Sequence, residues 1–351
     1  MSKVTILNDE AIEKVLDMKQ VIAAVEQVYT LKSSGKADLF PMIFHEFERG
    51  KADMDIKSGY IKEENVFGLK QVSWFGDNSK VGLPQLFGTT VIFDSTTGSP
   101  IGILNSGYIT GMRTGAAGAI GAKYLARKNS ENLLIVGAGH QATFQIAASL
   151  IALDNIKTVR IYDPINYDIA KKLSISIKKV LTDKFLSEFK NDAKLYKVMC
   201  NKFNVEFEAV PDIKEAVGLS DVIITVTPAR KPLLMKEWLK KGTHLSCVGA
   251  DMEGKQEIDE TIFGIARVFV DDINQAVNVG ETEIPIKKGV LLVSDIIAEI
   301  GDVINGKVSG RTSDDDITIY DTTGIALQDL LTSKIALDIA NEKGLGVVVD
   351  L

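Results

Sequence analysis

The sequence predicts an α/β protein in which a doubly wound parallel sheet is joined to a second, α+β domain with an antiparallel sheet. Three observations predict this fold. An apolar run at 133–136 enters a glycine turn at 137–142, and an apolar-periodic segment follows to about Ile151. Short β-branched runs then alternate with helical segments, as in parallel strands that are buried on both faces. Before them, residues 39–104 have the short strands and turn composition of an antiparallel sheet.

Helical spacing and short apolar runs define the elements of the first third. Apolar side chains recur at helical spacing through Asp9–Ser34, and Gly35 ends that segment. The strands that we expect next lie at Val66–Val72, Thr89–Phe93 and Pro100–Leu104.

A Gly- and Ala-rich stretch, 106–126, follows the antiparallel region. Its small residues predict a helix that packs very closely against a neighbour, with Arg113 near its start. The polar run 127–132 then predicts a domain boundary. We therefore expect a substrate-binding and dimerisation domain formed by 1–128 and 310–351, and a nucleotide-binding domain at 129–309.

Strands and helices alternate after that boundary. The stretch 166–202 is longer than one crossover helix requires, and we interpret it as extra surface helix. The strand pattern stops at about Ile286, residues 293–304 have a helical pattern, and a last helix at 326–341 is expected to return to the N-terminal domain. The expected strands begin near Leu133, Thr158, Val205, Asp221, Thr243 and Val268.

The composition excludes several classes of function. A chain of 351 residues is long for one core, and 45% hydrophobic with 25% charged residues is typical of a soluble protein. Its net charge of −7, without a basic block, argues against a nucleic-acid partner. No apolar run reaches the ~18 residues that span a bilayer. Two cysteines and three scattered histidines support neither a disulfide framework nor a metal site, so we expect a cytoplasmic protein.

The glycine turn predicts a dinucleotide site. Gly137 permits a tight turn, Gly139 lets the backbone approach a pyrophosphate, and Ala142 allows close packing of helix on strand. The alternative is a plain strand-to-helix connection. Asp163 ends the next strand, where a carboxylate would bind a ribose hydroxyl and repel a 2′-phosphate, so NAD is favoured over NADP.

Several polar residues could carry chemistry. Thr225 and Thr227 end one strand, where they either line a cofactor crevice or only form a turn. Asp251 follows the next strand and is the first choice for an acid/base residue, with a capping role as its alternative. Lys70 and Arg113 lie in apolar surroundings, so each reaches water or binds an anion such as a substrate carboxylate.

These residues lie in motifs that resemble the ornithine cyclodeaminase/mu-crystallin family over nearly the whole chain. The resemblance implies a homodimer, with strands of both subunits beside a Rossmann-type domain. It also implies that Lys70 and Arg113 bind the substrate carboxylate and that Asp251 is the catalytic acid/base. The matching motifs are Gly68–Lys70, Thr110–Ala116, Val136–Ala142, Val248–Asp251 with Gly254–Glu257, Val270–Asp272, Gly310–Thr312 and Tyr320–Asp329.

The resemblance implies a set of catalytic and cofactor residues at matching positions. Lys70 joins Asp251 as a catalytic residue. The expected residues of an NAD site are Thr114, Gly137, Gly139, His140, Gln141, Asp163, Thr225, Thr227, Val248 and Gly249.

The chain departs from the family's cyclodeaminases in its early strands. Those enzymes carry an arginine that would fall near Met42 or Ile43, and a glutamate before a Met-Pro pair; here Met54 is followed by Asp55. Asp53 or Asp55 could substitute for the acid and Lys57 for the cation, which puts ornithine specificity in doubt.

The expected function is NAD-dependent hydride transfer at the α-carbon of an amino acid or cyclic imino acid, by an amino-acid dehydrogenase or ketimine reductase. Two alternatives stay open at this stage. In an ornithine or lysine cyclodeaminase the hydride returns and ammonia leaves, so NAD is recycled. In a non-catalytic protein the same residues would bind only the cofactor and a small ligand.

Overall fold

The computed structural model describes residues 3–190 and 192–351, which form two compact units. These bounds differ from the expected domains: the division falls inside the Gly/Ala-rich helix at 113/114, and residues 310–324 belong to the second unit because they carry a strand of its sheet. The first unit is Met1–Leu16, Ala23–Arg113 and Ile325–Leu351, and the second is Asp17–Ile22 and Thr114–Gly324.

The strands and helices of the described residues are numbered in chain order. The strands are β1 Lys3–Leu7, β2 Ala37–Leu39, β3 Ile43–Glu48, β4 Ala52–Ile61, β5 Val66–Phe75, β6 Leu86–Asp94, β7 Pro100–Asn105, β8 Asn132–Val136, β9 Thr158–Tyr162, β10 Glu206–Ala209, β11 Val222–Thr225, β12 Arg230–Leu234, β13 His244–Cys247, β14 Gln256–Ile258, β15 Ala266–Val270, β16 Ile296–Glu299, β17 Ile317–Asp321 and β18 Val347–Asp350. The α-helices are α1 Asp9–Glu13, α2 Met18–Ser33, α3 Gly107–Leu125, α4 His140–Ala152, α5 Tyr167–Val180, α6 Ala193–Lys202, α7 Ile213–Leu219, α8 Ile273–Val279, α9 Glu283–Lys287, α10 Ile300–Ile304 and α11 Ala326–Glu342.

The first unit is built on the expected antiparallel sheet. Its strand order is β18-β1-β7-β6-β5-β4-β2, with β3 paired to β4. The long hairpin of β4 and β5 pairs without interruption from Ala52 and Phe75 to Ile61 and Val66. Only β1 and β7 run parallel, and their pairing joins the N-terminal strand to the hairpins.

The last helix lies directly on this sheet, as expected. Glycines on the strands beneath it permit the close approach of the helix to the sheet. A Cβ added at Gly68 would lie 2.8 Å from Leu330 Cδ2, and one at Gly102 would lie 2.8 Å from Leu337 Cδ2. Helix α11 therefore forms a buried layer over the strand face that carries position 68 and, two residues on, Lys70.

The second unit is the expected doubly wound parallel sheet. Its strand order is β10-β9-β8-β11-β13-β17-β15-β16, and every pairing in it is parallel. Strand β8 has β9 on one side and β11 on the other, so the order of connections reverses there. Open α/β sheets bind ligands at the carboxyl ends of the strands beside this reversal.

Two strands were wrongly assigned from the sequence. The strand pattern does not stop at Ile286: β16 lies within the stretch predicted to be helical, and β17 lies between β13 and β15. Ile319 and Tyr320 of β17 are completely buried in the sheet. The run 317–320 has the β-branched and aromatic residues of a strand, but it directly follows three aspartates, 314–316, and the sequence analysis assigned no element to it.

Helix α3 packs closely within the second unit, as its small residues predict. A Cβ at Gly118 would lie 2.2 Å from Gln145 Oε1, and one at Gly121 would lie 2.2 Å from Cδ1 of Tyr320. Glycine is therefore required where the helix meets α4 and β17.

Replacing Gly121 with Ala is expected to destabilise the second unit. The added methyl group would overlap the fully buried ring of Tyr320, and overpacking of this kind costs about 1–3 kcal/mol. Thermal unfolding measures the change, with Gly264→Ala as the matched control because no atom lies within 4 Å of its added Cβ. Equal melting temperatures for the two variants would contradict this account of α3.

The stretch 166–202 is helical, as expected, but part of it is buried. Helix α5 continues into a π-helical turn, Leu181–Leu186, before α6. The ring of Phe185 is completely buried and meets Phe144 of α4 edge-on, with ring centroids 5.9 Å apart. Residue 191 of this stretch lies outside the described residues. Within the described ranges, no helix has both the length and the apolar character needed to cross a membrane.

Candidate active site

Lys70 is a buried lysine on the α11 side of the first unit's sheet. It lies in β5 between Lys57 of β4 and Thr90 of β6, and only 4% of it is exposed. Its Nζ donates hydrogen bonds to Thr110 Oγ1 at 2.7 Å and to Asp329 Oδ1 at 3.0 Å. Of the two possibilities left by the sequence, the inward orientation is the one found.

Arg113 converges on the same carboxylate from α3. Its Nε donates to Asp329 Oδ1 at 3.1 Å, and its Nη1 donates to Gln328 Oε1 at 3.4 Å. Both acceptors lie in the first turn of α11. The structure thus brings Lys70 and Arg113 together and adds Asp329, to which the sequence argument gave no role.

Burial dominates the electrostatics of this cluster. It lowers the pKa of Lys70 to about 8, although Asp329 opposes the shift, while Arg113 and Lys57 add to it. For Asp329, burial alone would raise the pKa, but Arg113 and Lys70 together hold it below its ordinary value. Two cations therefore face one carboxylate, and Asp329 Oδ2 has no hydrogen-bond partner among the described residues. The excess positive charge suits an anionic ligand.

Asp329 could have been found from the sequence. It lies among Leu327, Leu330 and Leu331 near the start of a helix whose first eight residues are all buried. An aspartate in such surroundings needs a cationic partner, because an unpaired buried carboxylate is very costly.

Replacing Asp329 with Asn is expected to destabilise the first unit by about 3 kcal/mol at neutral pH, because Lys70 and Arg113 then lack their counter-charge. The loss should shrink as the pH rises above about 8, where Lys70 becomes neutral. Urea unfolding at pH 6.5 and pH 9 measures both effects. Asp338→Asn, on the exposed side of the same helix, is the control. A loss that was equal at both pH values would contradict the pairing with Lys70.

The second unit contains the glycine turn between β8 and α4. Gly137 has φ of 107°, and a Cβ there would lie 2.8 Å from the carbonyl oxygen of Val226. Gly139 begins α4 without a side-chain cap, and no atom lies within 4 Å of an added Cβ. The helix therefore begins at a glycine with free space beside it, and the turn fits the pyrophosphate of a dinucleotide.

Asp163 lies beside this turn, at the end of β9. Its Oδ2 accepts a hydrogen bond from the Ala138 N–H at 3.0 Å, and its Oδ1 accepts from Ile165 N at 3.0 Å and Asn166 N at 3.1 Å. The carboxylate therefore fixes the turn itself, in addition to the ribose role that the sequence predicts.

The other predicted cofactor residues differ in accessibility. His140 is exposed at the start of α4, Gln141 is half-buried, and Thr114 is half-buried with its carbonyl accepting from Gln145 Nε2 at 2.9 Å. In contrast, the Thr225 hydroxyl is fully buried, and it donates to a carboxylate.

Thr227, Val248 and Gly249 follow the carboxyl ends of two neighbouring strands, β11 and β13. Such ends are where this kind of sheet binds its ligand. Thr227 and Val248 are nearly buried, and the Gly249 N–H donates to a buried carboxylate at 2.9 Å.

Asp251 lies in the loop after β13, with half of its side chain exposed, and forms an ion pair with Lys255. It belongs to the second unit, whereas Lys70 and Arg113 belong to the first. The carboxylate is therefore accessible to a ligand from solvent, and a carboxylate of this kind can act as a general acid/base.

The departures from the cyclodeaminase pattern lie on β3, β4 and the residues before them. Met42, at the position expected for an arginine, is 37% exposed. Lys57 faces Lys70 directly across the β4–β5 pair, on the same face of the sheet, and its charge contributes to the lowered pKa of Lys70. The positive charge of the cluster therefore comes partly from a residue outside the family's motifs.

Known proteins resemble this chain over its full length. Alanine dehydrogenase of Archaeoglobus fulgidus is 36% identical over 341 residues, which cover 97% of this chain and 96% of that protein. The solved structure of an archaeal alanine dehydrogenase dimer with bound NAD matches with a TM-score of 0.88, 35% identity and full coverage of both chains. Δ1-pyrroline-2-carboxylate reductase of Thermococcus litoralis, solved with NADH and L-proline, matches with a TM-score of 0.87, 31% identity and 98% and 99% coverage.

The sequence model of the ornithine cyclodeaminase/mu-crystallin family matches residues 2–181 and 174–344, which together span nearly the whole chain. The expected resemblance is thereby confirmed. This protein belongs to the ornithine cyclodeaminase/mu-crystallin family.

Proposed function

We propose that this protein is an NAD-dependent oxidoreductase that transfers a hydride at the α-carbon of an amino acid or cyclic imino acid. The observation that carries the proposal is the convergence of Lys70 and Arg113 on Asp329, which leaves excess positive charge in a buried site. Such a site binds a carboxylate tightly. The open glycine turn at 137–139 fits the dinucleotide, and the relatives with NAD or NADH support the same cofactor.

Each residue has a defined role in this proposal. Lys70 and Arg113 bind the substrate carboxylate and thereby fix the α-carbon. When bound, the nicotinamide ring supplies the acceptor or donor of the hydride. Asp251 takes the proton from the amine as the C–H bond breaks and the C=N bond forms. For an open-chain substrate, that proton passes to solvent, and Asp251 then takes a proton from the water that attacks the C=N carbon, which gives a 2-oxo acid and ammonia. For a cyclic imine the reaction runs in the opposite direction: the carbon receives the hydride from the reduced cofactor, and Asp251 supplies the proton to nitrogen.

NAD rather than NADP is part of the proposal. Asp163 lies against the glycine turn with both carboxylate oxygens engaged by N–H groups, so a negative charge is held where a 2′-phosphate would be repelled. The affinities for the two cofactors, measured side by side, test this choice.

A homodimer is the proposed assembly. Every residue of β3 is exposed, which is unusual for an apolar strand, and large apolar side chains of neighbouring segments are exposed too. We propose that the same surface of a second copy of this chain buries these side chains. The archaeal alanine dehydrogenase is described as a dimer, which supports this assembly. Light scattering of a Phe44→Glu, Phe47→Glu variant tests this interface. We expect the variant to be a monomer, whereas a dimer formed through other residues would persist. The exposed group includes Phe40, Ile43, Phe44, Phe47, Leu86 and Phe87.

The cellular setting that we propose is the cytoplasm. Both cysteines are free thiols, with Cys247 buried and Cys200 half-buried. Thiols without a disulfide partner are typical of reducing compartments.

Cofactor absorbance tests the proposed reaction. Reduced cofactor that accumulates with alanine, proline, ornithine or lysine, or that is consumed with a cyclic imine or with a 2-oxo acid plus ammonia, identifies a dehydrogenase or reductase. Release of ammonia from ornithine or lysine without net change of cofactor would instead identify a cyclodeaminase. No turnover of any kind would overturn both.

A further inference from the structure

Glu257 is a fully buried carboxylate whose hydrogen bonds all come from neutral donors. Its Oε1 accepts from the Thr227 N–H at 2.6 Å and the Thr227 hydroxyl at 2.7 Å. Its Oε2 accepts from the Thr225 hydroxyl at 2.6 Å and the Gly249 N–H at 2.9 Å. No residue in this set carries a positive charge, which is rare for a buried glutamate.

The four donors belong to the ends of two neighbouring parallel strands. Thr225 ends β11 and pairs in register with Cys247, which ends β13. Glu257 thus forms hydrogen bonds to two chain segments at the edge of the sheet. One is 225–227, at the end of β11 and just beyond it, and the other is 248–249, which follows β13. These lie at the carboxyl edge, where a dinucleotide binds.

The two segments joined by Glu257 also lie very close to each other and to the glycine turn. A Cβ at Gly249 would lie 2.3 Å from the carbonyl oxygen of Thr227 and 2.6 Å from Glu257 Oε2. A Cβ at Gly137, in the glycine turn, would lie 2.9 Å from Thr227 Cγ2. Thr227 therefore lies between the glycine turn and the segment after β13, and both of them limit where it can move.

This arrangement is costly for a structural support alone. Burial raises the pKa of Glu257, although its four hydrogen bonds oppose the shift, and burial raises the pKa of Glu281 still more. Glu281 lies directly behind, where it accepts from the N–H groups of Glu257 and Ile258, and Asp321 also faces it. An amide or apolar side chain would join two loops at lower cost than this group of carboxylates.

We propose that Glu257 is a positioning residue that holds segments 225–227 and 248–249 against the nicotinamide half of the bound dinucleotide. This inference rests on the proposed function, since it requires that NAD binds at the glycine turn. The adenosine half is assigned to that turn and to Asp163, so Glu257 acts on one half of the cofactor only.

Binding of the whole cofactor and of its adenosine half separates the two roles. We compare wild type with Glu257→Gln in calorimetric titrations with NAD and with ADP-ribose. Glutamine cannot accept all four hydrogen bonds, and loss of charged hydrogen bonds of this kind weakens an interaction by about 10- to 100-fold. We expect the Kd for NAD to rise by at least about tenfold, while the Kd for ADP-ribose stays within about twofold of wild type.

Glu283→Gln is the matched control, because Glu283 is also a buried glutamate of the second unit but it bonds to Gly254 and Lys287 instead. Equal weakening of both ligands by Glu257→Gln, or no change in either, would overturn the inference. If that variant does not fold, Thr227→Val removes one donor and carries the same expectation. The titrations measure binding and need no turnover. A wild type that binds NAD but converts no amino acid would therefore refute the proposed reaction, while the comparison of NAD with ADP-ribose would still test the role of Glu257.

Discussion

Replacing Lys70 with Met is expected to lower kcat/KM for the amino-acid substrate by about 30- to 4,000-fold and to leave the Kd for NAD unchanged. The size follows from removing one member of a buried, hydrogen-bonded charge interaction, which costs about 2–5 kcal/mol. Steady-state kinetics and cofactor titration measure the two quantities. Lys62→Met, at an exposed lysine beyond β4, is the control. A comparable loss of NAD affinity would contradict a role limited to the substrate.

The same lysine predicts a dependence on pH. Its pKa is lowered to about 8, so Lys70 is charged below that pH and neutral above it. Only the charged form attracts a carboxylate strongly, and kcat/KM should therefore fall about tenfold for each pH unit above 8. In Lys70→Arg the guanidinium remains charged, so this fall should be absent even though the different shape of arginine lowers the activity itself.

Replacing Asp251 with Asn is expected to lower kcat by about 10²- to 10⁴-fold, the usual contribution of general acid–base catalysis. The amide keeps the size of the side chain but cannot accept a proton, so binding of NAD should be preserved. Stopped-flow absorbance of the reduced cofactor measures the hydride step directly. Glu253→Gln, two residues away and paired with Lys287, is the control.

An unchanged kcat in Asp251→Asn would reject this aspartate as the acid/base residue. If the wild type also turned over no substrate, a cofactor-binding protein without catalysis would become the better description. Where the wild type is active, Glu253→Gln should keep that activity, because the Glu253 carboxylate is exposed and, among the described residues, bonds to Lys287 on the protein surface.

The sequence predicted most of the second unit because its signals are local. The strands near Leu133, Thr158 and Asp221 are short apolar runs between turn residues, and Gly137 marks the nucleotide turn without reference to anything distant. The residues of β17 also have a strand composition, but the place of this strand in the sheet is not a local property. It enters the sheet between β13 and β15 from far along the chain, and no local pattern predicts such an insertion.

The candidate site was only partly predictable. Whether Lys70 points inward depends on which face α11 covers, and that contact joins residues 259 positions apart. The sequence argument named the two cations but overlooked Asp329, the carboxylate that both of them contact. Asp251 was predicted from its position after a strand, and its catalytic role stays a prediction. Glu257 could not be recognised as a link between two strand ends until their pairing was known.

The hydrogen bonds of Asp163 constrain how this enzyme could be redesigned or could evolve. The carboxylate accepts from three backbone N–H groups, two in its own loop and one in the glycine turn at 137–139. A substitution of Asp163 that is meant only to admit NADP would also remove the hydrogen bond to that turn. We expect such a variant to bind both NAD and NADP more weakly. A change of coenzyme preference therefore requires a second substitution that restores the lost hydrogen bonds. We do not expect a single substitution at Asp163 to convert the protein from NAD to NADP.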